Sequence, residues 1–576
     1  MNIKSRLNSR NNLLRDILIK RGVMDVDKLI NPTSENDTTI EDMQQIHDAL
    51  TMYKRNLSKT ILILVDSDAD GYSSAAIMYK YTKMVNPLAK VKFFVHSVKT
   101  HGLTNEFMAY ALQTRPDMII VPDAGTNDIA QREKLQAEGI DLLIIDHHEE
   151  DKHTDCGGIL INNHANFPKN NINKNLTGAG MAYTVCKMFD QLDFNTNRYK
   201  ELRDLAMVGL IGDCASLIEN ETRNICLNGL KNIHSNMIKT VIETNNQNID
   251  SVTFKNMQWG GIVPLINAVV RIGTREEREL MFKALADIET DYFKVVEKRK
   301  LNKETRKYEM VPFNLNSYQL AIEAAAECKK RQEKIIKAEL KSADSQFNPK
   351  AGIQIFKITT DEGKSLTGLI ASKLTSLWQQ PVLVIWELNG EYIGSLRGYE
   401  KSIKSLKNWC MNTGLFTLAQ GHDNAAGIQF PVENLDKIIK ETENVEYEGF
   451  VYEVDYLYES FDIIKEDIFN ISNNSFIFDN GLQQPIFGVK EIPVNADTAA
   501  WSKNTLRIKI DGVTFIKFKV SEDEYLELIK NNGSTIDVVG TFSVNEWKGM
   551  KFPQMMIDEF EVNENTERIQ MYGIFA

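Results

Sequence analysis

The sequence lacks paired cysteines and long apolar runs, and both absences narrow the class of protein. Its 576 residues contain six scattered cysteines with no CxxC pair, which indicates neither a zinc knuckle nor a disulfide framework. This pattern is typical of a reducing cytoplasm, where we expect the protein to act. Apolar runs such as 61–65 and 142–145 are far shorter than the ~20 residues of a membrane span. The basic N-terminus has no apolar segment after it, so we expect neither a secretory leader nor a membrane partner.

The sequence also lacks an excess of positive charge. Its formal net charge is −12, which taken alone argues against binding to a polyanion such as nucleic acid. Carboxylates that hold cations nevertheless count as negative in a sequence and are neutralised once the cations bind. The length predicts roughly three or four domains. The composition, 43% hydrophobic and 25% charged, is that of an ordinary folded protein.

Short apolar runs alternate with helical stretches in the first third of the chain. The stretches Ser73–Met84 and Asp128–Ala137 are typical of helices. The runs that flank them have the length of buried strands and lie at 61–65, 91–95, 118–121, 142–145 and 159–161. Buried strands alternating with helices predict a parallel sheet with helices on its faces, and hence an α/β fold.

The rest of the chain divides into a charged region and two further regions that contain strands. Ser317–Ala343 lacks Gly and Pro and has the pattern of a long, largely solvated helix connecting two lobes. The region after it returns to strand–helix alternation, and the last region is rich in strands, which predicts a small β-barrel. We therefore expect boundaries at 1–240 for the parallel sheet with an N-terminal helical segment, 241–345 for a helical linker region, 346–450 for a second α/β domain and 451–576 for the barrel.

Acidic residues follow three of the predicted strands. Asp66 ends the first run and begins the sequence D-x-D-x-D-G with Asp68 and Asp70, while Asp123 and Asp146 follow the third and fourth strands of the sheet. Ligands of parallel sheets bind beyond the carboxyl ends of the strands, so we expect these acids to lie close together. Carboxylates this close repel one another unless a cation lies among them. A single such residue is more often a helix cap or part of an exposed acidic loop, but the combination predicts a metal site.

Histidines are concentrated in the same part of the chain. Six of the nine lie between residues 96 and 164, and His147 and His148 directly follow the acid of the fourth strand. Asp213 closes a further predicted helix at Leu202–Ile211. Carboxylates with one imidazole suit Mn²⁺, or Mg²⁺ when water fills the remaining positions. Two such ions ~3.5–4 Å apart hold the attacking and leaving oxygens of phosphoryl transfer, so the set predicts phosphoester chemistry.

These motifs in this order resemble the DHH phosphoesterase family. They are D-x-D-x-D-G from Asp66, D-A-G from Asp123, D-H-H from Asp146 and G-D at Gly212. Three later segments resemble the companion DHHA1 domain, with Gln420 in place of the first Gly of its G-G-H-x-x-A-A-G element. They are Thr367–Leu374, Gly394–Arg397 and Gly421–Gly427.

Other segments resemble RecJ proteins within that family. Ile17–Val23 resembles their start, and Asn480–Phe487 and Val538–Gln554 resemble the segments before and within their OB-fold. Asn267–Arg271 lacks the Gly of the family's N-A-x-G-R, and the Arg- and Gly-rich segment near His101–Leu103 is altered. Such departures would suit a divergent relative, for example one encoded by a virus of bacteria. The resemblance implies a DHH catalytic domain with a parallel sheet, a long connecting helix, an α/β DHHA1 domain and a C-terminal OB-fold β-barrel.

The resemblance also implies a function. A RecJ-like protein is a metal-dependent exonuclease that hydrolyses the phosphodiester bonds of single-stranded DNA from the 5′ end, in DNA recombination and repair. A first alternative is a DHH phosphodiesterase that acts on short oligonucleotides or nucleotides, and a second is an inactive protein that binds single strands. The implied partners are single-stranded DNA and, among proteins, a single-strand-binding protein or a helicase. The implied cofactors are two Mn²⁺ or Mg²⁺ ions.

Metal ligands and reacting groups follow from the same motifs. The resemblance places Asp123 between the two ions as a bridging ligand. His148 would face the scissile phosphate as a charge stabiliser or proton donor, and Asp146 would orient its loop. The implied metal ligands are Asp66, Asp68, Asp70, Asp123, His147 and Asp213.

Substrate contacts are expected in the two C-terminal domains. Arg397, Ser395 and His422 of the DHHA1-like segments would bind phosphates or the 5′ end of the strand. A surface ion pair is the alternative for Arg397, and a satisfied turn histidine is the alternative for His422. OB-folds bind single strands by stacking bases on aromatic rings beside basic groups. In the barrel region we expect Phe515 to lie in the core and Trp547 to lie exposed at a hairpin tip, where it would contact the strand.

Overall fold

The computed structural model describes most of the chain, in two compact units. The smaller unit comprises Met1–Thr33, Ser216–Asn220 and Gly449–Ala576, and the larger comprises Ser34–Ala215 and Glu221–Glu448. Residues 298–301 and 308 are described by their backbone alone. The described residues are 1–34, 37–151, 157–165, 171–249, 252–289, 294–301, 308–399, 402–445, 447, 451–461, 463–478, 480–530, 534–547 and 549–563.

Strands are numbered in chain order over the described residues. They are β1 (Ile3–Ser5), β2 (Thr60–Val65), β3 (Lys90–Val95), β4 (Met118–Pro122), β5 (Asp141–Asp146), β6 (Ile159–Asn162), β7 (Lys294–Leu301), β8 (Tyr308–Leu315), β9 (Gln354–Lys357), β10 (Val382–Leu388), β11 (Glu391–Arg397), β12 (Leu418–His422), β13 (Ala425–Pro431), β14 (Tyr452–Val454), β15 (Tyr456–Tyr458), β16 (Phe487–Val494), β17 (Ala499–Ser502), β18 (Thr505–Ile510), β19 (Val513–Phe518), β20 (Ser534–Trp547) and β21 (Met550–Asn563).

Helices are numbered in the same way. They are α1 (Leu13–Lys20), α2 (Val26–Ile30), α3 (Ile46–Asn56), α4 (Ala69–Val85), α5 (Asn105–Thr114), α6 (Ile129–Ala137), α7 (Gly178–Phe189), α8 (Arg203–Gly212), α9 (Asn220–Lys231), α10 (Asn236–Thr244), α11 (Ile262–Ile272), α12 (Arg275–Leu285), α13 (Ser317–Glu339), α14 (Ala343–Gln346), α15 (Thr367–Trp378), α16 (Leu406–Asn412), α17 (Leu435–Glu443), α18 (Lys465–Asn473) and α19 (Glu522–Lys530). None of the helices in the described part of the chain has the length and apolarity that crossing a membrane requires.

A five-stranded parallel sheet organises the larger unit. Its strand order is β3-β2-β4-β5-β6, and every neighbouring pair is parallel. The inner strands are almost wholly apolar and buried because helices such as α4 and α7 pack on the sheet. This confirms the predicted parallel sheet. The order also makes β2, β4 and β5 neighbours, so the residues at their carboxyl ends meet at one edge.

A second sheet in the larger unit has the order β12-β13-β11-β10-β9. Its strands are antiparallel except for the parallel pair of β9 and β10, and α15 packs against β10 and β11. The register sets Arg397 of β11 opposite Ala425 of β13, which in turn lies opposite His422 of β12. Cross-strand partners point to the same face, so Arg397 and His422 lie in one row on one face of this sheet.

Helix α13 precedes that sheet, and Glu339 at its C-terminal end accepts hydrogen bonds from Thr359 and Thr360, which follow β9. The helix begins after Asn316 with a reciprocal capping box and ends at Glu339, where a 3₁₀ turn follows. The helix predicted at Ser317–Ala343 is therefore present, four residues shorter. The same linker region contains the antiparallel pair β7 and β8, which the sequence pattern did not predict.

The smaller unit contains a seven-stranded sheet of order β15-β16-β20-β21-β19-β18-β17. Its inward residues form one apolar core with α1 and α18, and that core includes Phe487 and Phe542, whose rings stack 3.9 Å apart. The long hairpin β20–β21 carries a bulge at Val539 and Gly540. The strand-rich character predicted for this region is confirmed. Over the residues described, no ladder joins the two edge strands, β15 and β17.

Candidate metal centre

The acidic turn after β2 is held by contacts from several different elements. Asp66 accepts a hydrogen bond from the Gly102 N–H (2.9 Å), and Asp68 caps helix α4 by accepting from the Gly71 N–H (2.9 Å). Asp70 lies in the first turn of α4 and receives three hydrogen bonds of 2.7–2.9 Å from the start of helix α7, donated by the Thr177 hydroxyl and the N–H groups of Gly178 and Ala179. The three carboxylates of the motif therefore have fixed and different orientations.

Two glycines allow the carboxylates to pack directly against helices. A Cβ at Gly178 would lie 2.3 Å from Asp123 Oδ1, and one at Gly209 would lie 2.3 Å from Asp70 Oδ1. Any side chain at these positions would occupy the space of a carboxylate oxygen. The close packing of the helices on the carboxylates therefore requires glycine at both positions.

Asp123 is the most constrained acid of the cluster. Its backbone has a positive φ of 67°, which is rare outside glycine, and its N–H donates to the carbonyl of Ile145 (2.8 Å). The side chain is only 2% exposed, and its Oδ1 is buried without a hydrogen bond from any residue that the structure describes. Burial, together with the nearby carboxylate of Asp70, raises the pKa of Asp123 well above its ordinary value.

His147 connects Asp123 with the remaining acids. Its Nε2 lies 3.1 Å from Asp123 Oδ1, 3.7 Å from Asp70 Oδ2 and 4.0 Å from Asp213 Oδ2. Burial lowers the pKa of His147, which favours the neutral imidazole that metals bind. Burial, with Asp70 and Asp68 nearby, raises the pKa of Asp213 to about 7.

Asp146 and His148 form a separate pair beside this cluster. Burial alone would raise the pKa of Asp146, but hydrogen bonds from His148 and Thr126 lower it. The His148 Nδ1 lies 2.8 Å from Asp146 Oδ1, and the Thr126 hydroxyl donates to Asp146 Oδ2 over 2.6 Å. The hydrogen bond with Asp146 raises the pKa of His148 to about 9, so this exposed imidazole carries a proton at neutral pH.

The acids and imidazoles form three groups, two of which share His147, and the ligand atoms of each group lie within 4.8 Å of one another. Within the part of the chain that the structure describes, no Lys or Arg forms an ion pair with them. The unpartnered oxygen of Asp123 and the raised pKa values point to missing positive charge, and carboxylate and imidazole donors suit divalent cations. The residues present therefore fit metal ions. The groups are Asp66, Asp68 and His101; Asp70, His147 and Asp213; and Asp123, Asp146, His147 and His148.

Basic side chains lie close to the acidic cluster without pairing with it. Burial and the nearby charge of Arg397 lower the pKa of Arg271 at the end of α11, and the charge of Asp68 opposes this only in part. The pKa of Lys99 is lowered by desolvation and by Arg271. Arg397 donates to the carbonyl of Leu396 (2.7 Å), and burial lowers its pKa. The three cations therefore share a neighbourhood at the edge of the metal centre.

The remaining predicted substrate residues lie in different places. Ser395 Oγ lies 2.8 Å from the Thr367 hydroxyl, and His422 is exposed on the same sheet. Trp547 belongs to the smaller unit, where it is the last residue of β20, pairs with Met550 and is 64% exposed. Phe515 is buried, which confirms the prediction that it lies in the core.

Three residues near the metal centre were not singled out as site residues on sequence grounds, namely His101, Lys99 and Arg271. His101 and Lys99 lie on the loop after β3, which brings them to the carboxyl edge of the sheet. The concentration of histidines between residues 96 and 164 is a signal for His101, but that loop departs from the family pattern. For Lys99 we find no comparable signal.

Two family models match this chain. The model of the DHH family, N-terminal domain, matches residues 60–210, which contain the whole parallel sheet. The model of the RecJ OB domain matches residues 460–559, which contain β16 to β20 and most of β21 of the seven-stranded sheet. The match of the second model agrees with the OB-fold that the C-terminal motifs implied.

Relatives match almost the whole chain. A protein of Bacillus subtilis strain 168, YorK, whose name describes it as an SPbeta prophage-derived single-strand DNA-specific exonuclease, is 30% identical and aligns over 96% of this chain and 97% of its own length. The single-stranded-DNA-specific exonuclease RecJ of the same organism is 25% identical over 96% of this chain and 68% of its own length. The crystal structure of RecJ from Thermus thermophilus in complex with Mn²⁺ has a TM-score of 0.72 at 19% identity, covering 96% of this chain and 76% of that one. The chain therefore belongs to the DHH family and, within it, to the group of RecJ-like proteins.

Proposed function

We propose that this protein is a two-metal exonuclease that hydrolyses single-stranded DNA from its 5′ end. The observation that carries the proposal is the buried Asp123 carboxylate, whose Oδ1 lacks a hydrogen bond and lies among further carboxylates and an imidazole. Two similar proteins bear names that describe single-strand DNA-specific exonucleases. Crystal structures of a RecJ with the same fold contain Mn²⁺ in one case and Mg²⁺ in the other.

We propose that the ligands are divided between two ions. Asp123 is the proposed bridge, because its carboxylate interacts with the acids on both sides. The ions would supply a hydroxide nucleophile at neutral pH and stabilise charge on the phosphate. One ion would be held by Asp70, His147, Asp213 and Asp123, and the other by Asp66, Asp68 and Asp123.

His148 is the proposed acid of the reaction. Its pairing with Asp146 keeps it protonated at neutral pH, and more than half of its side chain is exposed to solvent. A protonated imidazole there can stabilise the phosphate charge and donate a proton to the leaving oxygen. Asp146 is the proposed positioning residue, because it also accepts hydrogen bonds from Thr126 and from the His147 N–H (2.7 Å).

Phosphate groups of the strand are the proposed ligands of the unpaired cations. Lys99, Arg271 and Arg397 lie at the edge of the acidic cluster, where their charge offsets that of the acids. A guanidinium binds phosphate oxygens in a bidentate manner. His422 and Ser395 lie on the same sheet as Arg397 and are the further candidates for holding the 5′ end.

The OB domain is the proposed reason for a polymeric substrate. Phe518, Trp547 and Phe552 are 55%, 64% and 42% exposed, and Lys517 and Lys551 lie beside them in the sequence. Exposed rings next to ammonium groups suit stacking of bases along a single strand. An enzyme for nucleotides or dinucleotides would not need such a surface.

One assay tests the proposal directly. Single- and double-stranded 50-nucleotide DNAs, labelled at either end, are incubated with the protein in Mn²⁺, Mg²⁺ or EDTA. We expect loss of the single strand alone, release of the 5′ label first and full inhibition by EDTA. The Asp123→Asn variant should be inactive throughout.

The same assay separates the alternatives. Faster cleavage of dinucleotides than of 50-nucleotide strands would favour a phosphodiesterase for short oligonucleotides. Binding without cleavage under every metal condition would favour an inactive single-strand-binding protein. Equal digestion of duplex and single strand would contradict the proposed selectivity.

A further inference from the structure

An imidazole lies on the side of the acidic cluster where the sequence motifs imply only carboxylates. His101 Nδ1 is 2.5 Å from Asp66 Oδ2. One nitrogen of His101 and one oxygen each of Asp66 and Asp68 lie within 4.8 Å of one another. The side chain is 53% exposed, so an ion from solution has access to it.

The loop that carries His101 is held by hydrogen bonds from the two residues that follow His101. The Gly102 N–H donates to Asp66 Oδ1 over 2.9 Å, and the Leu103 N–H donates to Asp128 Oδ2 over 2.7 Å. Gly102 has a positive φ of 73°, and a Cβ there would lie 2.4 Å from Asp128 Oδ2. The imidazole is thus positioned by a tight turn that is hydrogen-bonded to Asp66, a proposed metal ligand. Only glycine fits at position 102 of that turn.

The two halves of the cluster then have the same composition. Asp70, His147 and Asp213 supply two carboxylates and one imidazole on one side. Asp66, Asp68 and His101 supply the same set on the other. The buried Asp123 carboxylate interacts with acids of both sides, and its Oδ1 has no hydrogen bond.

We propose that His101 is a direct ligand of the divalent cation held by Asp66 and Asp68. This inference rests on the proposed function, because it assumes that both halves bind an ion. An imidazole in the coordination sphere favours Mn²⁺ over Mg²⁺, which prefers oxygen donors and retains its waters. The ion on this side should therefore select Mn²⁺ more strongly than an all-carboxylate site would.

The test is Mn²⁺ binding to the full-length protein without nucleic acid. Titration followed by electron paramagnetic resonance gives the number and affinity of the sites, and pulsed spectra report ¹⁴N nuclei directly bonded to Mn²⁺. His101→Ala removes the side chain, whereas His101→Asn keeps a donor near the position of Nδ1, able to reach Asp66. His47→Asn on helix α3, an exposed histidine elsewhere in the same unit, is the matched control.

We expect wild type and His47→Asn to bind two Mn²⁺ ions. Both His101 variants should weaken Mn²⁺ binding at one of the two sites by at least about 10-fold, which is the loss of affinity seen when groups around a bound metal are removed. Both should also lose one coupled ¹⁴N signal. Wild-type affinity in His101→Asn, or unchanged ¹⁴N coupling, would show that His101 only orients Asp66 and would overturn the proposal. A single Mn²⁺ site in wild type would overturn it as well.

Two further measurements keep the result interpretable. Where the His101 variants do not fold, as judged by circular dichroism, His101→Gln provides a second substitution for the same titration. Mn²⁺ binding with both sites intact but no nuclease activity would contradict the proposed function and leave the ligand assignment standing. The two failures are therefore distinguishable.

Discussion

Buried carboxylates occur in two settings in this protein, and the groups around them differ. In the smaller unit, Asp455 is paired with Arg21, whose Nη2 lies 2.6 Å from Oδ2 and whose Nε lies 2.9 Å from Oδ1. In the larger unit, Glu339 accepts four hydrogen bonds of 2.6–2.9 Å from the hydroxyl and N–H groups of Thr359 and Thr360. Asp123 is as deeply buried, but its Oδ1 has no hydrogen bond.

The difference shows how a structural acid is distinguished from a metal ligand. Burying a carboxylate is costly unless protein donors or a cation compensate for the lost water. Arg21 and the two threonines provide this compensation for Asp455 and Glu339. Around Asp123 the neighbours with the largest electrostatic effect are other acids, which increase the cost of ionisation. In the proposed function a cation from solution provides this compensation, which is why the uncompensated acids are the candidate functional site.

The largest expected effect comes from removing the charge of Asp123. Asp123→Asn should lower the rate of single-strand cleavage by at least about 10³-fold, or ~4 kcal/mol, because the proposed bridge between two ions is lost. Its stability without metal should be unchanged or higher, because one buried charge in a repelling cluster disappears. Initial rates in Mn²⁺ and urea denaturation in EDTA measure the two effects. A variant that cleaves at the normal rate would refute the assignment.

The compensated acid should behave in the opposite way. Asp455→Asn should cost about 3–5 kcal/mol in the free energy of unfolding of the smaller unit, because the largely buried guanidinium of Arg21 loses the carboxylate that it pairs with. Hydrogen exchange of the Ile486 amide, which donates to Asp455 Oδ2, measures the opening of this region.

Mn²⁺ affinity is the control for this variant. It should be unchanged, because Asp455 has a protein cation of its own and does not need a bound ion. Unaltered stability together with weaker Mn²⁺ binding in Asp455→Asn would contradict the assignment of Asp455 as a structural acid and Asp123 as a metal ligand.

A smaller effect is expected in the pH dependence of stability without metal. The folded chain raises the pKa of Asp213 from 3.8 to about 7, so between these values it holds more protons than the unfolded chain. The free energy of unfolding should therefore fall as the pH rises through that window. Thermal denaturation in EDTA at pH 5 and pH 7 measures the loss relative to Asp213→Asn, which should lack this contribution. Saturating Mn²⁺ should remove the difference, and an equal slope in the variant would contradict this account.

Much of the fold was predictable because its signals are local. The apolar run 61–65 became β2, the runs 118–121 and 142–145 became β4 and β5, and each prediction was within one residue of the observed bounds. Buried parallel strands must be almost wholly apolar, so a short run between helical stretches is a strong signal. The meeting of their acidic ends follows from the general rule for parallel sheets.

The features that escaped prediction depend on tertiary contacts. Strand β7 lies in a densely charged segment and its partner β8 has a single charged residue, so neither strand shows the regular apolar alternation that would predict the pair. His101 reaches the acidic cluster only because Gly102 turns the chain against Asp66 and Asp128. The difference between Asp123 and Asp455 is likewise invisible in the sequence, since Arg21 is more than 400 residues from its partner.

The smallest expected effect concerns an exposed ring far from the acids in sequence. In the Asp123→Asn background, which prevents cleavage, Trp547→Ala should weaken binding of a single-stranded 20-mer by about 1–3 kcal/mol if a base stacks on this ring. Trp259→Ala, which removes a comparably exposed indole from the larger unit, is the control and should leave affinity unchanged. Fluorescence anisotropy of labelled DNA measures both affinities.

Equal losses of affinity in the two variants would show that exposed aromatic surface binds DNA nonspecifically. Unchanged affinity in Trp547→Ala would show that the strand does not contact the hairpin tip. Retained binding in Trp547→Phe, which keeps a stacking ring, would show that the contribution is the aromatic face itself.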